Sequence, residues 1–191
     1  MLETEQKAVF TGKVENLIPT LGLNWQIADN HSAGIRYRPS MSLGASSTQD
    51  SKVSATLDGV LDDRTHTLSN GHSDFAPTHE VNMYYNGTAG KLNIDFNADF
   101  HDSRSNELKR YDEMSEYQDF RTLHTESNSH NRLYAGKLTL TYPLFKGILT
   151  AGSEYSHTRR YDEYVNGEGY VPSAYTTIRE SETSAYAEYS Y

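Results

Sequence analysis

The sequence predicts an all-β fold: an antiparallel up-and-down transmembrane β-barrel, or an incomplete segment of one with about seven to eight strands. The first reason is residues 91–101, where apolar and polar side chains alternate strictly. Alternation with a period of two is typical of a β-strand that has one apolar face and one polar face. About eleven residues are what a tilted strand needs to cross a bilayer. The other two reasons are that this pattern recurs along the chain, and that short and long connections alternate between its copies.

Composition limits the function classes. The chain has 191 residues, with 26 Asp and Glu against 17 Lys and Arg, a net charge of -9. An acidic chain is a poor ligand for phosphate backbones, so we expect no nucleic-acid partner. There is no Cys, which excludes disulfides and thiolate metal sites. The mean hydropathy is -0.74, and the chain lacks an apolar run of about 18 residues, so no transmembrane helix is predicted. A barrel remains possible because half of each strand faces a polar lumen.

Seven strands follow one another along the chain. The alternating pattern places them near residues 21–27, 33–41, 81–85, 91–101, 134–142, 149–155 and 183–191. An eighth strand, needed to close a small barrel, would lie in residues 7–14, where Ala8, Phe10 and Gly12 alternate only weakly. The start of the chain has no features of a signal peptide, so we expect a mature chain or a piece of a longer polypeptide.

The connections alternate in length. Short turns are predicted near residues 28–31, 86–90 and 143–147, and long polar loops near 43–78, 102–131 and 159–178. Outer-membrane barrels have short periplasmic turns and longer external loops. Residues 1–191 are therefore interpreted as one barrel segment with three external loops. Within these loops, Val53, Ala55 and Leu57 indicate a small hairpin, and residues 107–119 a helical turn.

Alternation also assigns side chains to the two faces of the wall. Side chains on the apolar positions of a barrel strand face lipid, and those between them face the lumen. The residues predicted to face lipid are Leu92, Ile94, Phe96, Phe100, Leu138 and Leu140. Those predicted to face the lumen are Arg36, Arg38, Asp95, Asp99, Glu154 and Glu188. Aromatic residues near the strand ends, such as Trp25, Tyr134 and Tyr142, are interpreted as girdles at the two membrane interfaces.

Several stretches of the chain resemble a known family. They are PTLGLNWQIADNHSAGIRY at 19–37, YNGTAGKLNIDFNADF at 85–100, and YPLFKG at 142–147, followed by AGSEYS at 151–156 and AEYS at 187–190. These stretches resemble the barrel region of TonB-dependent receptors of the Bacteroidetes-type outer-membrane β-barrel family. The resemblance implies a wall segment of a receptor that imports a metal chelate or a glycan across the bacterial outer membrane.

The resemblance also implies partners: outer-membrane lipid, the remaining barrel strands, a plug domain that Arg36 and Arg38 would meet, and a small-molecule or glycan ligand. Such receptors have a barrel of about 22 strands with a plugged lumen. Seven or eight strands without a plug pattern therefore correspond to a slice of that barrel. Two alternatives remain open: a closed eight-strand outer-membrane barrel with a structural or adhesive role, and a soluble β-sandwich binding module.

No catalytic motif, cofactor site or metal site is predicted. His66, His72 and His79 are too loosely spaced for a ligand motif, and Asp95, Asp99 and His101 fit a polar ladder on one strand. The acidic residues at 112–119 lack the residue order of a calcium loop. Tyrosine combines a flat apolar face with a hydroxyl group, which suits ligand contact at an external loop. The predicted ligand-binding residues are Tyr161, Tyr164, Tyr170 and Tyr175.

Overall fold

The strands that the structure describes all belong to one antiparallel sheet. The computed structural model describes residues 2–73 and 76–191. No helix in these two ranges is long and apolar enough to cross a membrane. The strands are β1 (Leu2–Leu17), β2 (Leu21–Ala28), β3 (His31–Leu57), β4 (Val60–Ser73), β5 (Ala76–Ala89), β6 (Leu92–Met114), β7 (Arg121–Leu144), β8 (Gly147–Asn166) and β9 (Ala174–Ser190).

The nine strands occupy seven positions across the sheet. β1 and β2 follow each other along one edge of β3, and β4 and β5 do the same along its other edge. From there the order runs through β6, β7 and β8 to β9. Pro19 lies in the break between β1 and β2, where its missing N–H removes a possible ladder hydrogen bond. The seven predicted strands are confirmed as β2, β3, β5, β6, β7, β8 and β9, and β4 is an additional strand. The strand predicted at residues 7–14 is confirmed as part of β1, but β1 pairs with β3 in line with β2 and adds no eighth position across the sheet.

The three segments predicted as long polar loops consist mainly of strand extensions, and the small hairpin predicted around Val53, Ala55 and Leu57 is formed by β3 and β4. Residues 43–78 hold the ends of β3 and β5 and all of β4, and β3 and β4 meet in a turn at Asp58 and Gly59. Both turn residues have positive φ, 50° and 80°, as a two-residue hairpin turn of this twist requires. The other two segments, 102–131 and 159–178, contain the longer connections 115–120 and 167–173, which join the extended strands at their tips. The predicted helical turn at 107–119 is wrong, since β6 continues to Met114.

The short turns are tighter than predicted. Two-residue turns fall at 29–30, 90–91 and 145–146. The Asn86–Gly87 pair, predicted to begin a turn, lies instead inside β5, opposite Asp95 and Ile94 of β6. The turn comes three residues later, where Gly90 has a φ of 64°.

The sheet is open, and the residues that the structure describes form no second layer. Within the described ranges, β9 pairs only with β8, and β1 and β2 pair only with β3. No hydrophobic side chain of the described residues is fully buried. A β-sandwich would bury apolar side chains between two sheets, so that alternative is excluded. A closed eight-strand barrel is excluded too, because the first and last strands do not pair.

Candidate lipid-facing and lumen-facing surfaces

The strand register brings the apolar positions of neighbouring strands onto one face, which we call the apolar face. Directly paired residues of antiparallel strands share a face of the sheet. Phe96 of β6 is paired with Tyr85 and Leu138, and Tyr85 leads through Ala33 to Trp25 at the edge. The same rows collect the six residues predicted to face lipid: Leu92, Ile94, Phe96, Phe100, Leu138 and Leu140.

The apolar face carries a band free of charged residues. On β6 the band covers residues 92–100, and its rows cross the sheet from β2 to β9 without an Asp, Glu, Lys or Arg at any described position of this face. Nine strand residues span about 30 Å, and a tilt of about 40° reduces this to near the 25 Å height of the apolar belt of outer-membrane barrels. Trp25 is 64% exposed and Met83 44% exposed, so no layer of the described residues covers this band.

The opposite face, which we call the polar face, is hydrogen-bonded from strand to strand. Arg36 Nε donates to Asn82 Oδ1 at 2.9 Å, and Asn82 Nδ2 donates to Asp99 Oδ1 at 2.5 Å. Arg38 Nε donates to Glu80 Oε2 at 2.7 Å. Both arginines thus have partners within the chain. All six residues predicted to face the lumen lie on this face: Arg36, Arg38, Asp95, Asp99, Glu154 and Glu188.

The polar face also holds a depression of about 440 Å³. Its polar lining includes Asn24, Arg36, Asn82, Asn97 and Asp99. Asparagine side chains offer both donors and acceptors, so this surface can hold water or polar groups of a ligand. It offers no nucleophile with an adjacent base.

The first charged residues of the apolar face lie in the row immediately beyond the band. Phe100 and Tyr134 pack with ring centroids 5.1 Å apart and form its last row on β6 and β7. In the next row, the buried Asp102 accepts a hydrogen bond from Arg132 Nε at 2.8 Å, and its Oδ2 lies 2.9 Å from His130 Nε2. An aromatic row followed by ionic groups is the arrangement expected at a membrane interface. This cluster was missed from sequence because its members lie on different strands.

The four predicted ligand tyrosines do not form one site. Tyr161 and Tyr175 lie on the apolar face beyond the band, and Tyr164 lies on the polar face. Tyr170 lies in the 167–173 connection, with the guanidinium carbon of Arg121 5.5 Å from its ring centroid. Partial desolvation raises the pKa of the Tyr161 hydroxyl, and the charges of Glu163 and Tyr175 add to this effect.

Ion pairs and polar contacts hold the hairpin ends together. Glu168 accepts hydrogen bonds from the backbone N–H of His124 at 2.8 Å and contacts its Nδ1 at 2.7 Å. The backbone hydrogen bond, and then the side-chain one, lower the pKa of Glu168. Arg110 and then Thr122 lower the pKa of Asp112 through hydrogen bonds. Asn166, 5% exposed, bridges to the carbonyl of His124 at 3.1 Å.

The described residues contain no group of three His, Asp or Glu side chains placed to hold a metal ion. His66 contacts Asp50 at 2.8 Å, and His79 contacts the hydroxyl of Tyr37 at 2.7 Å. The acidic residues at 112–119 diverge, since Asp112 and Glu113 occupy opposite faces of β6.

Comparisons with known proteins support the fold. No protein-family description and no curated protein matches the chain. The unliganded ferric citrate transporter FecA superposes with a TM-score of 0.50 and 11% identity, over 93% of this chain and 25% of that chain. The ferric yersiniabactin uptake receptor FyuA from Yersinia pestis superposes with a TM-score of 0.27 and 10% identity, over 96% of this chain and 43% of that chain. A major outer membrane protein from Thermus thermophilus superposes with a TM-score of 0.23 and 12% identity, over 97% of this chain and 100% of that chain.

Of these three, the FecA superposition alone is close enough to compare folds. It shows that the open sheet has the fold of a segment of a transporter barrel wall, and that the chain spans about a quarter of the length of FecA.

Proposed function

We propose that this chain is a wall segment of a TonB-dependent receptor of the Bacteroidetes type, located in a bacterial outer membrane and serving nutrient uptake. The main support for the proposal is the apolar band. It contains no Asp, Glu, Lys or Arg, and no layer of the described residues covers it. The opposite face of the sheet is polar and hydrogen-bonded from strand to strand. The fold likeness to a ferric citrate transporter supports the same conclusion.

A membrane explains the two faces of this sheet better than water does. Apolar side chains as exposed as Trp25 and Leu23, both 64%, are stabilised by burial in lipid. The backbone groups of the inner strands are paired within the sheet, which a lipid environment demands. The outer edges of β9 and of β1 and β2 require neighbouring strands for the same reason. We therefore propose the remaining barrel strands as partners, with a plug domain against the polar face.

The proposed ligand is a small molecule of the metal-chelate or glycan class. The metal-chelate class draws support from the FecA likeness, since that protein is a ferric citrate transporter. Of the four tyrosines, Tyr164 continues the polar face and Tyr170 lies at a hairpin end, so these two are the best placed for a ligand entering the lumen. Tyr161 and Tyr175 lie on the side that continues the lipid-facing surface. We assign no catalytic role to any residue.

The single tryptophan of the chain provides a test. Trp25 lies on the apolar face, and its neighbour Asn24 lies on the polar face. In a detergent with brominated chains, we expect strong quenching of Trp25 fluorescence. A Trp25→Phe, Asn24→Trp double variant moves the indole to the other face, and its emission should be quenched much less. Equal quenching of both proteins, or a folded monomer that needs no detergent, would refute the membrane assignment.

A further inference from the structure

We propose that the row of arginines beyond the apolar band, Arg132, Arg159 and Arg179, binds the phosphate group of a membrane lipid. This inference rests on the proposed function, because it requires the apolar band to lie in a membrane. The three residues are direct neighbours in the register, Arg132 opposite Arg159 and Arg159 opposite Arg179. They occupy the apolar face in the first row beyond the Phe100–Tyr134 pair.

The arginine row holds three arginines and one acidic residue, Asp102, which pairs with Arg132. Like charges placed directly opposite each other on neighbouring strands are destabilising. Asp102 is the acidic residue of this row, and its carboxylate is engaged by Arg132 and His130. Arg159 and Arg179 have no hydrogen bond or ion pair with any described residue. An anion placed between these two guanidinium groups would relieve the repulsion.

Other acidic residues lie too far away or on the wrong side. Glu163 is the nearest carboxylate on this face of β8, two same-face positions from Arg159, or about 13 Å along the strand. Glu180 and Glu182 of β9 lie on the polar face, opposite Thr158 and Ser156. No carboxylate of the described residues is therefore placed to neutralise Arg159 or Arg179.

A depression beside the row has room for a headgroup. It measures about 540 Å³ and is lined on the same face by Arg104, Asn106, His130 and Tyr161. The side-chain oxygen of Asn106 is buried there without a hydrogen-bond partner.

The position of the row identifies a lipid as the source of the phosphate. The acyl chains of a lipid lying on the apolar band would bring its headgroup to the level of Asp102 and Arg159. Arginine is suited to phosphate because its planar guanidinium binds two oxygens at once. A free phosphate ion would have the same charge but no contact with the band.

The test is binding of a short-chain phosphatidic acid to the full chain in a neutral detergent, followed by native mass spectrometry. Dioctanoylglycerol, which lacks the phosphate, and inorganic phosphate, which lacks the chains, are the comparison probes. We expect phosphatidic acid to bind more tightly than either. An Arg159→Gln, Arg179→Gln double variant should bind it about 30-fold more weakly, from the attraction of two arginines for anionic lipid.

Two further variants separate binding from folding. Arg159→Lys, Arg179→Lys keeps the charge but loses the two-oxygen contact of the guanidinium, so it should weaken binding less than the Gln double variant does. Arg160→Gln removes a neighbouring arginine on the polar face, where it bonds Asp162, and should leave the affinity unchanged. Equal affinity of the wild type and the Gln double variant, an equal loss in Arg160→Gln, or binding of inorganic phosphate as tight as that of the lipid would overturn the proposal. Failure of the proposed function would appear separately, in the Trp25 quenching experiment.

Discussion

Arg132 on β7 donates a hydrogen bond from its Nε to Asp102 on β6 at 2.8 Å, directly beyond the last aromatic row of the apolar band. Asp102 is 8% exposed, although it lies on the face that is apolar over the preceding rows. A buried carboxylate is tolerated only when it is paired and hydrogen-bonded. Arg132 and His130 supply these contacts. The Asp102–Arg132 ion pair therefore lies where the apolar band ends, and both of its partners belong to this chain.

Removing the charge of Asp102 should destabilise the sheet at this level. We expect Asp102→Asn to lower the free energy of unfolding by about 2 kcal/mol, because its hydrogen bonds are no longer made to a charged group and Arg132 is left beside Arg159 without a counter-ion. Urea unfolding in detergent measures the effect. Asp119→Asn, at an exposed position in the 115–120 connection, is the control and should change stability little. Equal effects of the two substitutions would contradict the assigned role of Asp102.

A tyrosine covers a glycine on the polar face near the other end of the sheet. A Cβ added to Gly152 would lie 2.5 Å from the ring of Tyr186, whose hydroxyl contacts Thr139 at 2.9 Å. Gly152→Ala should therefore displace the ring and destabilise the chain by roughly 1–3 kcal/mol. Gly136→Ala is the matched control, because its nearest atom would be 4.0 Å away.

A double-mutant cycle checks the cause of this effect. In a Tyr186→Ala background the Gly152→Ala substitution should cost little, since the ring that it displaces is gone. An unchanged cost in that background would show that the ring is not responsible.

The contact between Glu168 and His124 should respond to acid. Because hydrogen bonds from His124 lower the pKa of Glu168 below its value in the unfolded chain, the contact stabilises the folded state at neutral pH. That contribution is lost as the pH falls through the lowered pKa. The carboxyl-carbon NMR shift of Glu168 should titrate at a lower pH in the folded chain than in urea. In His124→Ala the midpoint should move partway back, and an identical midpoint would contradict the contact.

The orientation of the sheet predicts which turns face the outside of the cell. The 58–59, 115–120 and 167–173 connections end the strand extensions, and the 29–30, 90–91 and 145–146 turns lie at the opposite end. The chain has no cysteine, so single cysteines can be placed at will. On intact cells, Ser115→Cys should react with a membrane-impermeant maleimide and Lys146→Cys should not. Labelling of Lys146→Cys but not of Ser115→Cys would show that the sheet has the opposite orientation.

Seven of the nine strands, and the face on which each side chain lies, could be predicted from sequence because alternation is a local signal. Residues 91–101 alternate so strictly that the apolar face of β6 follows directly from them. The extensions were missed because they are polar on both faces: residues 121–131 of β7 contain a single large apolar side chain, Leu123. Without alternation, such a strand resembles a loop. Its strand structure depends on pairing with β6 and β8, which only the register reveals.

The site was predictable in part for the same reason. The two faces follow from parity, whereas the Asp102 cluster and the arginine row depend on pairing between residues about 20 to 30 positions apart in the chain. The tyrosines of residues 159–178 were grouped because they are close in sequence. A strand sends successive side chains to opposite faces, so Tyr161 and Tyr164 were separated once that segment proved to be a strand.

The most direct measurement for the membrane wall is a cysteine scan of residues 92–100, with the chain in the outer membrane of cells as part of the polypeptide that carries it. Ile94→Cys and Phe96→Cys should resist a small water-soluble thiol reagent, because we propose that the apolar face lies against lipid. Asp95→Cys and Asn97→Cys should react, because we propose that the polar face lines the aqueous interior. Reactivity that does not alternate, or that is higher at 94 and 96 than at 95 and 97, would contradict the assignment of this sheet to a barrel wall.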